Sequence, residues 1–186
     1  LIEEARTNSI RNNTMVGAVA GTPGTLPTNW SLGGISGGLA SQVVGTGTEN
    51  GITYADIRIF GTNLSGSSVF PGVFFDTTTG IAGTTGQVWS ESVFLSLAAG
   101  TGINFDLAVH ESDSGGTFLR STTVSGTSGT VTAGSLATRR RSGSVTLGAS
   151  TAFIRPLIAT TVTNGQAIDI TLRIGLPQLE LGAFAT

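Results

Sequence analysis

From Ala167 onward the chain alternates without a fault, with Ile168, Ile170, Leu172 and Ile174 on one parity and Asp169, Thr171 and Arg173 on the other. A period of two predicts a strand with one face in a core and one in water. Gly175 and Pro177 then bend the chain, and Leu179 and Leu181 give a second short apolar pair. The strongest strand therefore comes almost last, and we read it as the central, closing strand of a β-sandwich.

Earlier segments repeat the pattern. Ile52 to Phe60 sets Ala55, Ile57 and Ile59 against Tyr54, Asp56 and Arg58. Val88 to Ala98 carries Trp89, Val93, Leu95 and Leu97 on one parity, and Ile103 to Val109 carries Ile103, Phe105, Leu107 and Val109. Weaker strands are expected at Met15 to Ala20, from Trp30, at Leu39 to Val44 (ended by GTGTENG), and at Ser68 to Phe75 with a break at Pro71-Gly72. Phe118 to Val124, Arg139 to Leu147 and Phe153 to Ala159 complete the series, and Pro156 predicts an edge or a bulge for the last of these. GTPGTLPTN, SDSGG, SGTSGT and Thr163-Asn164-Gly165 read as loops and turns. About nine or ten short strands with no convincing helix predict an all-β, antiparallel β-sandwich, most simply a jelly roll, with a barrel as the alternative. Residues 1–14 lack a clean period and read as an N-terminal connector, compatible with a helical turn over Ile2 to Arg6, ahead of one domain at 15–186.

Composition sharpens this picture. Charged residues make up only 11 % of the chain, against roughly 25–35 % on an ordinary soluble surface. A surface of Gly, Ser and Thr suits packing against copies of itself or other subunits, so a homo-oligomer is expected. A net charge of −2 gives no reason to expect a nucleic-acid partner. No apolar run approaches the roughly 18 residues of a membrane span. Cysteine is absent, which removes disulfides and thiolate metal sites.

Candidate chemistry is sparse. Gly34-Ile35-Ser36-Gly37-Gly38 fits G-x-S-x-G, but a nucleophile elbow needs a strand before it and a helix after it. His110, with Glu111 and Asp113 nearby, reads as a solvated strand end rather than part of a catalytic triad. The carboxylate pairs Glu3/Glu4 and Glu111/Asp113 read as surface turns rather than a glycosidase dyad. No cofactor is expected beyond a structural calcium ion, for which Asp76, Asp113 and Asp169 are the candidates. Trp30, Trp89 and Tyr54 could serve as sugar-stacking platforms, although the core needs both tryptophans. Arg139-Arg140-Arg141 is the only charge run, either a solvated edge or an anion site whose guanidinium forks fit carboxylates and sulfates.

Five stretches, LIEEARTNSIRN, GTPGTLPTNW, VVGTGTENGITYADIRIFGT, GQVWSESVFLSLAAG and IDITLRIGLPQLELGAFAT, carry a family likeness. They resemble phage and prophage structural proteins in which a fibre or spike bears a sandwich domain similar to jelly-roll carbohydrate-binding modules. The resemblance implies a non-enzymatic virion component, a tail or head fibre of a bacteriophage or phage-like particle. It further implies a trimeric state, contact with other virion proteins, and contact with host-surface polysaccharide. The alternative is a carbohydrate-binding module from a secreted polysaccharide-degrading enzyme. A capsule depolymerase would need two carboxylates in one cleft. Arg139, Arg140 and Arg141 are the expected contacts for an acidic glycan.

Overall fold

The computed structural model describes residues 7–183. Within them lie twelve strands: β1 (Ser31–Gly33), β2 (Leu39–Glu49), β3 (Ile52–Thr62), β4 (Gly72–Phe74), β5 (Ile81–Ala82), β6 (Val88–Gly100), β7 (Asn104–Ser112), β8 (Phe118–Thr123), β9 (Gly129–Thr130), β10 (Arg140–Thr146), β11 (Phe153–Ala159) and β12 (Ala167–Leu181). The helical content of these residues is one 3-10 turn, Leu136–Thr138. No helix among them is long and apolar enough to cross a membrane.

The strands form two antiparallel sheets of a jelly-roll sandwich. One runs β1-β4-β11-β7-β8, with β5 beside β11 and β9 beside β7; the other runs β10-β6-β12-β3-β2. The closing strand β12 is central, hydrogen-bonded to β3 on one side and β6 on the other. Ile170, Leu172 and Ile174 are at most 2 % exposed and Ile168 is also buried, while Asp169 and Arg173 face outward. There Arg58 pairs with Asp169, and Arg173 pairs with Asp56 and Glu49. The inward parities of β3, β6 and β7 meet β12 in one core that also holds Trp30 and Trp89. Both tryptophans are therefore core residues, and Tyr54 lies on the outer face under the guanidinium of Arg173.

Several expectations change. Met15 to Ala20 is not a strand; Met15 has φ 64° and turns its side chain into the core, and Val19 makes only a lone bridge to Thr25. Strand β2 runs on through GTGTE to Glu49, because its glycines lie against Asp56 and Tyr54 of β3. β11 is neither an edge nor bulged. Pro156 pairs with Val109, and its missing N–H falls where the neighbouring edge passes from β5 to β4, at which Phe75 donates to the Pro156 carbonyl. Within the expected connector, Ile10 is in the core, Asn12 accepts from the Val16 N–H, and Arg11 pairs with buried Asp76. The proposed turn over Ile2 to Arg6, the Glu3/Glu4 pair and the terminal FAT lie outside the described residues.

Candidate functional site

An outward face of a sheet that meets only water carries polar residues. The outer face of the first sheet does not. Among polar neighbours it carries Phe74, Leu157, Ala108 and Ala159, a second apolar cluster separated from the core by the sheet itself. The sequence signal for this is β11, where both parities are apolar: Ile154 and Ile158 point into the sandwich, Leu157 and Ala159 away from it.

Over this floor lies an open groove of about 980 Å³ that crosses the sheet from β1 to β8. Five strands span about 19 Å. Phe70, ahead of β4, and Phe118, at the start of β8, line it and stay 65 % and 56 % exposed. The floor is kept open where small residues, Gly33, Ala108 and Ala159, lie beside Phe74 and Leu157. A Cβ on Gly33 would come within 2.6 Å of the Phe74 ring.

Polar groups stand among the rings. His110 on β7 packs between Phe74 and Phe118, with centroids 4.9 and 4.8 Å away. The Arg155 guanidinium lies 3.8 Å from the Phe74 centroid, donates to the Asp76 carbonyl at 2.8 Å, and bonds the Ser31 hydroxyl. Burial, with Arg155 nearby, pushes His110 down to about 4, so the imidazole is neutral at physiological pH. Asp106, Ser121 and Thr123 add a carboxylate and two hydroxyls. His110 is thus a groove residue rather than a solvated strand end.

The arginine run sits elsewhere, on the other sheet. Alternation divides it. Arg140 turns to the outer face, where it donates to the Ser92 hydroxyl and Gln178 Oε1. Arg141 takes the inward parity opposite Val93 and reaches across to β7, donating to the carbonyls of Phe105, Thr127 and Gly129. Arg139 donates to the Ala133 carbonyl. All three nevertheless line one depression of about 210 Å³ with Thr130, Thr132 and Thr138.

Among the described residues no group of three or more His, Cys, Asp or Glu is placed to hold a metal ion. Each calcium candidate is engaged within the protein: Asp76 by Arg11, Asp169 by Arg58, and Asp113 by the N–H groups of Gly115 and Thr117. Gly34 to Gly38 is a loop after β1 with no helix behind it, so no nucleophile elbow forms. Glu111 and Asp113 part company: Glu111 is fully buried on the inward parity of β7, whereas Asp113 caps the turn.

No family model matches the sequence, and no curated protein matches it either. Solved structures do. The xylan-binding CBM22-1 domain of Paenibacillus barcinonensis Xyn10C aligns at 13 % identity and a TM-score of 0.55, over 98 % of this chain and all of that one. The CBM22-1–GH10 modules of Clostridium thermocellum xylanase 10B, solved with xylohexaose, align at 17 % identity and a TM-score of 0.53, over 95 % of this chain and 29 % of that one. A CBM4 structure aligns at 16 % identity and 0.51, over 93 % of this chain and 99 % of that one. At these identities the likeness is one of architecture, and the chain has the jelly-roll β-sandwich fold of the carbohydrate-binding modules.

Proposed function

We propose that the groove binds a polysaccharide chain and that the protein is a non-catalytic carbohydrate-binding module. The observation that carries this reading is the apolar strip on the outer face of the first sheet, flanked by exposed Phe70 and Phe118 and by groups that can donate to or accept from hydroxyls. Sugar rings have apolar C–H faces and polar rims, which is the chemistry such a strip complements. The xylan-binding domain and the xylohexaose complex among the similar structures support a neutral, xylan-like chain. Among the described residues lining the groove, Asp106 is the sole carboxylate, and hydrolysis of a glycosidic bond ordinarily takes two.

Affinity electrophoresis through gels containing xylan or mixed-linkage glucan tests this. The protein should be retarded, and Phe118→Ala or Phe70→Ala should each weaken binding roughly tenfold, as for a central aromatic contact. Retardation equal for parent and both variants would remove the groove from the binding surface.

Two settings use the same surface. One is a module appended to a secreted polysaccharide-degrading enzyme, which the similar solved structures favour. The other is a fibre or spike domain on a bacteriophage particle, there as a trimer touching host glycans, which rests on the sequence resemblance. An acidic substituent at Arg139–Arg141 would be a separate contact, at the 210 Å³ depression. Because Arg141 ties the two sheets together, its test replaces Arg139 and Arg140 only. Binding to a sulfated or uronic-acid polysaccharide should weaken and lose salt dependence; an unchanged salt profile would make the run a solvated edge.

A further inference from the structure

The groove does not end at Ala159. Asp106, Thr160 and Thr161 line it and also line a second depression, of about 430 Å³, walled further by Asn104, Ser128 and Gln166. The two parts differ in chemistry. The first is floored by Phe, Leu and Ala, while the second is made mostly of hydroxyl, amide and carboxylate groups.

These polar groups are oriented. Asn104 and Asp106 lie two apart on one face of β7, about 7 Å from each other. Asn104 Oδ1 accepts from the Thr130 hydroxyl at 2.7 Å. Gln166 Oε1 accepts from the N–H of Thr163 at 3.0 Å and from its hydroxyl at 3.2 Å. Both amides are held through oxygen, so each offers its NH2, while Asp106 offers only acceptor atoms. Fixed donors beside a fixed acceptor suit vicinal hydroxyls, which both donate and accept. Asp106 is the one charged side chain lining this part among the described residues, and it disfavours a uronate there.

We propose that this depression is an additional subsite of the same groove. It takes sugar units by hydrogen bonds alone, so the preferred ligand is a neutral oligosaccharide long enough to run from Phe118 past Asp106. The inference rests on the reading of the groove as a glycan site. Its geometric basis is the shared wall of Asp106, Thr160 and Thr161.

Calorimetric titration with xylotriose and xylohexaose tests it, with cellotriose and cellohexaose as a second series. The parent should bind the hexaose about tenfold more tightly than the triose in at least one series. Asn104→Ala/Gln166→Ala should erase that gain and leave triose binding unchanged. Gln166→Ala alone, at a position outside the strands, should erase part of it. Affinity independent of length in the parent, or a length gain that survives in the double variant, overturns the additional subsite while leaving the groove reading intact. Loss of triose and hexaose binding together in the double variant overturns it as a separate subsite. Failure of the parent to bind either series overturns the groove reading itself.

Discussion

Replacing Glu111 by alanine is expected to lower the unfolding free energy by about 3–5 kcal/mol, the range for breaking a buried charged network. The carboxylate is fully buried near the end of β7 and is the hub of four donors. Arg120 donates at 2.9 Å, the Thr122 hydroxyl at 2.6 Å, the Gly148 N–H at 2.8 Å, and the Thr151 hydroxyl also reaches it. These donors come from β8 and from the turn between β10 and β11, so one side chain fastens three segments at the end of the sandwich. Arg120 is partly exposed and can turn to water. The Thr151 hydroxyl is buried and keeps the Gly148 carbonyl and a 3.2 Å contact from Arg120, whose own place depends on the carboxylate. Burial alone would push Glu111 up, but the four donors outweigh it and hold the carboxyl below its ordinary 4.5. A depressed folded value means that this stabilisation is fully present above about 4.5 and is lost as pH falls through the lower folded value. Urea denaturation at neutral pH and at successive acid pH values measures both effects. The parent should lose stability on acidification more steeply than Glu111→Ala, and equal midpoints at neutral pH would show that the hub carries no stability.

Replacing Glu91 by leucine is expected to do the opposite and stabilise the protein by about 1–3 kcal/mol at neutral pH. Glu91 is also fully buried, on the inward parity of β6 between Trp89 and Val93 and in register with Leu179 of β12. Neither of its carboxylate oxygens has a hydrogen-bond partner among the described residues. Burial therefore pushes its carboxyl well above 4.5, and folding above that pH requires it to take up a proton. The sign follows from the raised value. The parent loses stability as pH rises from about 4.5 to the folded value, at up to about 1.4 kcal/mol per pH unit. Leucine removes both the unsatisfied oxygens and that slope at similar volume. Thermal melts across acid to mildly alkaline pH should show a gain for Glu91→Leu that widens with pH over that range. A variant that melts below the parent throughout would mean that the carboxyl is satisfied within the fold.

The two glutamates also mark how far periodicity could be read. Alternation through Ile103, Phe105, Leu107 and Val109 continues inward to Glu111, but the polar sequence around it suggests a surface turn. Its buried place depends on Arg120, Thr122, Gly148 and Thr151, which a one-dimensional reading cannot bring together. The groove has the same character. Phe74, Ala108 and Leu157 lie far apart in sequence and meet only because β4, β11 and β7 are neighbours in a sheet whose order is not the chain order. Trp30 and Trp89, the obvious stacking candidates by size, were needed inside, and the less conspicuous Phe70 and Phe118 line the surface.

The sequence by itself determined the long strands, the face each turns inward, and the central place of Ala167–Leu181, since a period of two and a half-buried sheet are the same fact stated twice. The short β5 and β9 carry no such period and were not legible, and Met15–Ala20 forms no strand. It determined equally that the Arg139–Arg141 side chains would divide between faces, as Arg140 and Arg141 do. Only the tertiary structure decided which strands are neighbours and where the first sheet keeps an apolar strip on its outer face. It also decided which buried carboxylate finds donors. Each of these depends on contacts between different strands and turns, many of them tens of positions apart, fixed by sheet order and not by any local pattern.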